Sequence, residues 1–385
     1  MPPNLLTEKV DMNIEEKSRK KLTAHLSLTN ACNFHCTICP SMREDKKYDR
    51  PRMSAGVLNK VLSEILPKCS TIILGGNSLG EVTTHSEFTR FIADDFNGDG
   101  AIKMRLTTNG YRLGEMAAQV AEKFSFVSIS FDGATKKTYE AIRKYPYEKI
   151  VSNIKKLSAE RAKRGTPLKI GLGMTLLYDN LHELPALVEL ASALGVDMVA
   201  GSYFIPNFSS ERYQCLYYHQ RYANDIADKA EERAWLLGIE FRMPRYNLPG
   251  QRLTQEELRP VYETCPLPST MINISETGIV TPCCANPTIM GDLSRQSFED
   301  VWNGKKYSRF RSDPGANPFC RICHTPVYGQ RASTGVMLDP SYQIKTIGTE
   351  LGLSQVIRSG LLRTLSGSKT GLSVSNFGKS AAGRK

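Results

Sequence analysis

The chain has 385 residues, 41% of them hydrophobic, enough for one large core and a smaller second one. No apolar run approaches the roughly 18 residues of a membrane helix, and the start, MPPNLLTEKVDMNIEEKSRKK, has no apolar stretch of signal-peptide type, so a cytoplasmic location is expected. The net charge of +11 invites a nucleic-acid reading, yet more than half of the excess lies in a tail from Ser341 to Lys385, with seven basic residues against one acid.

The remaining body is mildly basic, which suits an anionic small molecule or a peptide as well as RNA. It shows no interleaving of aromatic and basic residues, so nucleic acid is the weaker reading. Ten cysteines in a chain without an export signal are expected to stay reduced. They point to metal ligation or catalysis rather than to a disulfide framework.

After a leader over residues 1–21, short β-type runs alternate with amphipathic segments. Strands are expected at Ala24–Leu28, Thr71–Leu74, Lys103–Thr107, Phe126–Phe131, Lys169–Thr175 and Val196–Ser202. Helical patterns lie between them at Val57–Leu66, Tyr147–Arg164 and Leu181–Leu194. The alternation predicts an α/β fold with parallel strands. Six units are too few for a closed eight-stranded barrel and predict a partial (β/α)6 barrel, with its reactive groups at the C-terminal ends of the strands.

A polar, aromatic-rich helical stretch over Ser210–Leu237 ends this pattern, and a Pro-rich segment, Met243–Pro268, follows. Met271–Ile274, Glu276-Thr277-Gly278 and Ile279–Thr281 then read as a β-hairpin with Gly at a turn position. The expected division is a barrel over 22–245, a small hairpin and helix domain over 246–335, and a basic tail over 336–385 that is partly disordered.

Chemistry concentrates in LSLTNACNFHCTICP, where Cys32, Cys36 and Cys39 follow the first strand at the mouth of the barrel. Three thiolates on one short loop can hold three irons of a [4Fe–4S] cube and leave the fourth open. The competing reading is structural zinc, which wants four ligands; the nearest extra candidate, His35, lies cramped inside the loop and is not assigned. The spacing and its place after the first strand resemble the radical S-adenosylmethionine (SAM) superfamily. That resemblance implies a partial barrel whose cluster binds SAM and cleaves it to methionine and a 5′-deoxyadenosyl radical, which abstracts hydrogen from a substrate. It also implies a reducing partner such as flavodoxin or ferredoxin.

Further segments at strand ends are similar to motifs of this family. Gly75-Gly76-Asn77-Ser78-Leu79-Gly80-Glu81 looks like its Gly-Gly-Glu motif, with Val82 where Pro is usual and three extra residues. There a carboxylate or a carbonyl would accept hydrogen bonds from the methionine ammonium. Thr107-Thr108-Asn109-Gly110 resembles a Thr-Asn-Gly segment that meets ribose or methionine oxygens. Ser130 ends the fourth strand, where the family places a hydroxyl near the ligand, and Arg143 would pair with the methionine carboxylate. Gly80, Glu81, Thr108, Asn109, Ser130 and Arg143 are therefore the expected SAM contacts.

Cys265, Cys283, Cys320 and Cys323 form a second set around the hairpin. Its Cys-x12-Gly-x4-Cys spacing, Gly291-Asp292-Leu293 and the helix at Phe298–Trp302 resemble the SPASM and shorter twitch domains of the same superfamily. The resemblance implies one auxiliary [4Fe–4S] cluster; a zinc site with four thiolates is the alternative from spacing alone. Cys284 is the spare beside Cys283. Cys69 and Cys215 are left over as packing residues, the sharper reading of Cys215 being a hydrogen donor to a substrate radical.

The functional expectation is hydrogen abstraction from a small polar metabolite, such as a sugar or aminocyclitol, leading to dehydrogenation or epimerisation. Maturation of a ribosomally made peptide is the alternative. A non-catalytic iron–sulfur or zinc electron-transfer protein is the reading from a different class.

Overall fold

The computed structural model describes residues 22–39, 50–76, 79–93, 101–204, 209–246, 263, 265–283 and 286–321. The leader, the tail, Cys284 and Cys323 lie outside the described residues. No helix among those described is long and apolar enough to cross a membrane.

Seven parallel strands follow in spatial and chain order: β1 (Leu22–Leu26), β2 (Cys69–Leu74), β3 (Lys103–Thr108), β4 (Phe126–Ser130), β5 (Lys169–Leu176), β6 (Met198–Tyr203) and β7 (Glu240–Arg242). Six were expected. The short β7 carries too few residues for a periodic signal and forms by pairing with β6, Val199 opposite Phe241. The sheet is an open, partial barrel.

Register explains its two faces. Leu26, Leu74, Leu106, Val127 and Ile170 form one row across β1 to β5, and each is at most 1% exposed. They meet the helices, as period-two alternation requires of the face turned to the core. The neighbouring row, His25, Ile73, Arg105 and Phe126, turns to the other face, toward the lumen, and ends in Lys169, which is exposed and reaches Asp197 at 3.3 Å.

The outer layer contains α1 (Ala55–Lys60), α2 (Ala117–Lys123), α3 (Lys136–Arg143), α4 (Tyr147–Arg164), α5 (Leu184–Ala193) and α6 (Gln220–Leu237). In α4 the buried Ile150, Ile154 and Leu157 line one face, and Gly165 at φ 62° ends it. Along α6, Ala223, Ala227, Ala230 and Ala234 are buried; their small side chains let it lie close against α5.

The helix expected over Val57–Leu66 is not one regular helix. After Lys60 the backbone widens into a π turn over Val61–Ile65, with Leu66 N–H donating to the Val61 carbonyl, and then tightens over Leu66–Lys68. Pro67 has no N–H for the carbonyl of Ser63 and its ring crowds that turn, so the ladder is re-spaced before it. Likewise only Gln220–Leu237 of the stretch expected from Ser210 is α-helical; two tighter turns precede it.

The hairpin forms as read, β8 (Met271–Ile274) and β9 (Ile279–Thr281), with Gly278 at φ 86°. Yet it does not stand apart: β8 pairs in parallel with β1, Ala24 opposite Ile272, and a short β10 (Gly291–Asp292) completes a ten-stranded sheet. This covers the edge of β1, which would otherwise be an unpaired strand. Lys60 Nζ donates to the carbonyls of Leu293 (2.9 Å) and Gln296 (3.0 Å). Glu64 accepts the Phe298 N–H at 2.7 Å. The helix around the π turn therefore holds the C-terminal domain to the barrel.

His25 sits 9% exposed on β1. Burial first, and then the Arg105 charge, push its pKa down from 6.5 to about 4. Between those values the unfolded chain binds the proton that the folded one refuses, so stability is complete above the window and falls as pH drops through it. The expected loss from this group is at most about 3 kcal/mol. Denaturant midpoints at pH 7 and pH 5 should show it, and His25→Asn should flatten that part of the pH dependence.

Candidate active site: the cysteine loop and its supports

The loop after β1 is fixed by backbone bonds before any metal is considered. Asn30 N–H donates to the Pro51 carbonyl at 3.0 Å, and Thr37 N–H donates to the Ile142 carbonyl at the end of α3 at 2.9 Å. Phe34, 1% exposed, stacks on Tyr145 at 4.3 Å, and Tyr111 meets both rings edge-on. This aromatic group closes one side of the loop against water.

Gly80 shows why the Gly-Gly-Glu-like segment tolerates no side chain there: a Cβ would lie 2.3 Å from the Thr29 carbonyl oxygen and 2.5 Å from that of Ala31. Next to it, Glu81 N–H donates to the Ala31 carbonyl at 2.9 Å. The segment after β2 is thus laid directly on the cysteine loop.

Glu81 is 3% exposed. One of its oxygens accepts from Thr83 N–H (3.2 Å), Thr83 Oγ1 (2.6 Å) and Thr108 Oγ1 (2.6 Å), and the other from Asn109 N–H (2.7 Å). Thr108 and Asn109 are held by this carboxylate at the end of β3. Asn109 Nδ2 in turn donates to Asn33 Oδ1 at 2.9 Å and lies 3.9 Å from Cys32 Sγ. The Glu81 side chain, expected with a carbonyl of its segment to face the methionine ammonium, is engaged by these four protein donors.

Arg143 is also engaged within the protein. Its Nε lies 2.6 Å from Asp132 Oδ2, Asp132 being fully buried and Arg143 12% exposed. Its Nη1 lies 3.8 Å from Cys36 Sγ. Burial alone would lower the pKa of this guanidinium; the Asp132 charge, followed by that of Cys36, outweighs it and holds the cation raised. Asp132 Oδ1 accepts from Thr175 N–H at 2.7 Å, so the pair spans β4, α3 and β5. Asp132 had no role in the sequence reading; nothing in its local pattern distinguishes it from a turn aspartate. Ser130 ends β4 and is half-buried.

Burial pushes the Cys32 thiol up to about 11, opposed by the N–H of Phe34 and reinforced by the charges of Glu81, Cys36 and Cys39. Cys36 is raised as well, by burial against the opposing charge of Arg143. Burial of Cys32 and Cys36 thus favours their protonated thiols until a metal displaces the protons. Among the described residues, no three His, Cys, Asp or Glu groups converge tightly enough for a single metal ion. A [4Fe–4S] cube asks for less, because each thiolate meets a different iron. The donors aimed at sulfur, Phe34 N–H at 3.4 Å and the side chains of Asn109 and Arg143, are those that stabilise cluster thiolates. The loop fits the cluster.

In the C-terminal domain Cys283 is buried and Cys265 and Cys320 are half-buried. Asn286, 4% exposed, donates to Cys320 Sγ at 3.4 Å and to Asn317 Oδ1 at 3.1 Å. Asn286 is a support that no spacing rule reveals. Cys215 is fully enclosed, before the turn over Leu216–His219, and Cys69 donates to the Ile65 carbonyl at 3.3 Å.

These contacts give a prediction that separates support from ligand binding. Asp132→Asn removes one partner of a buried ion pair, which costs about 3 kcal/mol. Glu81→Gln turns one acceptor toward a donor and costs about 2 kcal/mol. Both variants should lower the denaturant midpoint and the iron retained after anaerobic reconstitution. Full iron with lost SAM binding would instead make both residues ligand contacts.

Comparison with known proteins agrees with this geometry. The family model of the radical SAM superfamily matches residues 26–191, and that of an iron–sulfur cluster-binding domain, SPASM, matches residues 265–324. A tungsten-containing aldehyde ferredoxin oxidoreductase cofactor-modifying protein of Pyrococcus furiosus is 24% identical over 74% of this chain and 82% of its own. An AdoMet-dependent heme synthase of Methanosarcina barkeri is 23% identical over 77% of this chain and 86% of its own. Among solved structures, Streptococcus suis SuiB bound to SAM superposes with a TM-score of 0.55 at 14% identity, over 77% of this chain and 68% of that one. Native anSMEcpe with bound AdoMet gives 0.55 at 14% identity, over 89% and 98%. Both families' cofactors, a SAM-binding [4Fe–4S] cluster and auxiliary iron–sulfur ligation, follow from these matches. The chain carries a radical SAM superfamily domain over residues 26–191 and a C-terminal SPASM-type iron–sulfur domain over residues 265–324.

Proposed function

We propose that this enzyme takes a hydrogen atom from a small polar metabolite held in the barrel and oxidises it. The observation that carries the reading is the convergence on one loop: Glu81 after β2 bonds its backbone at Ala31, Asn109 after β3 lies by Cys32, and Arg143 at the end of α3 lies by Cys36. When bound, the [4Fe–4S] cluster supplies the electron that splits SAM into methionine and a 5′-deoxyadenosyl radical.

The chain's own residues then have distinct tasks. The three loop cysteines ligate the cluster. Backbone carbonyls between Gly75 and Gly80 accept from the methionine ammonium, and Ser130 and Asn109 meet polar atoms of SAM. Arg143 uses Nε on Asp132 and Nη1 on Cys36, which leaves Nη2 for the methionine carboxylate. Cys265, Cys283, Cys320 and Cys323 hold the group that accepts the substrate's second electron, while a proton leaves to solvent. The enclosure of Cys215 supports oxidation over epimerisation, since a hydrogen donor has to touch the substrate. Small-molecule chemistry is also supported by the names of relatives, an AdoMet-dependent heme synthase and a probable GTP 3′,8-cyclase of Methanocaldococcus jannaschii, the latter 26% identical over 69% of this chain.

A peptide substrate is the second reading. It is supported by SuiB bound to its precursor peptide SuiA, a structure of the same fold at TM-score 0.55.

Anaerobically reconstituted protein should carry about eight irons, and alanine at Cys32, Cys36 and Cys39 should leave about four and abolish release of 5′-deoxyadenosine. Oxidation predicts a product two hydrogens lighter than its substrate. Replacing Cys320 and Cys323 by Ala should stop product formation while uncoupled 5′-deoxyadenosine release persists. A product of unchanged mass that takes up one solvent deuterium would overturn the oxidation in favour of epimerisation.

A further inference from the structure

The lumen row described above contains a cation with no counter-charge among the described residues. Arg105, on β3, stands between Ile73 of β2 and Phe126 of β4. Its guanidinium lies over the Phe126 ring at 4.7 Å. Phe126 and Met198 together fill the space over Gly171, where a Cβ would come 3.0 Å from each.

No carboxylate among the described residues pairs with Arg105. The inward-facing acid at that end, Glu240, is bound by Arg242 at 2.5 Å. Burial and the Arg242 charge both disfavour the Arg105 cation, and the nearby His25 is electrostatically coupled to it and carries a buried Nδ1 without a hydrogen-bond partner. Toward the mouth, a Cβ on Gly173 would lie in ordinary contact with Ser128 Oγ at 3.5 Å, a hydroxyl on the same face of the sheet. Arg105 lies three residues before Thr108, about 10 Å below the level of the SAM segments at the strand rise.

We propose that Arg105 anchors an acidic group of the substrate, a carboxylate or a phosphate, at the floor of the barrel lumen. The inference rests on the reading of the lumen as the substrate site and narrows the substrate to an anionic molecule. The guanidinium fork binds either group by two parallel N–H bonds, and the bound anion supplies the charge that the protein withholds. Stacking on Phe126 keeps the fork oriented in the absence of an acid partner. The hydrogen to be abstracted then lies at the other end of the molecule, toward the mouth.

The test needs no radical chemistry, so it can fail independently of the assay above. Reconstituted full-length enzyme is titrated calorimetrically, at fixed ionic strength, with inorganic phosphate in one arm and succinate in the other. Saturable binding at one site is expected in one arm, which identifies the acidic group. Arg105→Gln should weaken it at least tenfold and Arg105→Lys less, with iron content and melting temperature establishing that each variant is folded. In the unmutated protein the imidazole resonances of labelled His25 should shift on binding at neutral pH, which gives a readout if Arg105→Gln does not fold. Absence of saturable binding in both arms, equal affinity in Arg105→Gln, or binding without a response at His25 would each overturn the proposal.

Discussion

The buried carboxylate of Glu81 is the constraint on which the site depends. A carboxylate that is 3% exposed must find hydrogen-bond donors or lose its charge. Here it finds four, from Thr83, Thr108 and Asn109, while its own N–H is bonded to the cysteine loop. One residue thereby sets the spacing of three segments that the chain supplies separately: the loop after β1, the turn after β2 and the end of β3. The close approach at Gly80 is possible only because the backbone there carries no side chain.

The Asp132–Arg143 pair repeats this logic one strand further along. A buried ion pair contributes little net stability on its own, because desolvation offsets the attraction. Its use here is placement. It carries a cation from the end of α3 to Cys36 and ties β5 to the same point through Thr175. The sulfurs of the loop are thus surrounded by donors belonging to the scaffold rather than to the loop.

The parallel sheet separates these polar demands from stability. Its outer face is apolar and covered by helices, so burial there stabilises the fold without reference to chemistry. Its inner face carries Arg105, His25 and hydroxyl groups, which add little to folding and leave the lumen able to recognise a ligand. Pairing of β8 with β1 extends the same sheet into the C-terminal domain and sets the second cysteine group in a fixed relation to the first.

By itself the sequence determined what is local and periodic. Alternating strands and amphipathic helices named the barrel, the Cys32-x3-Cys36-x2-Cys39 spacing named the cluster loop, and Gly278 between two short apolar runs named the hairpin. Such signals are carried by neighbours in the chain, through side-chain period, loop length and turn conformation. The tertiary structure alone decided which partners polar groups meet. Glu81 and Arg143, expected from the sequence at the SAM site, also bind Thr108, Asn109 and Asp132, which only folding brings near. The same holds for β7, too short to show a period, and for the parallel pairing of β8 with β1 across some 245 residues of chain. Hydrogen bonds and ion pairs are satisfied in space, so the burial that makes them necessary also removes them from what a linear pattern can express.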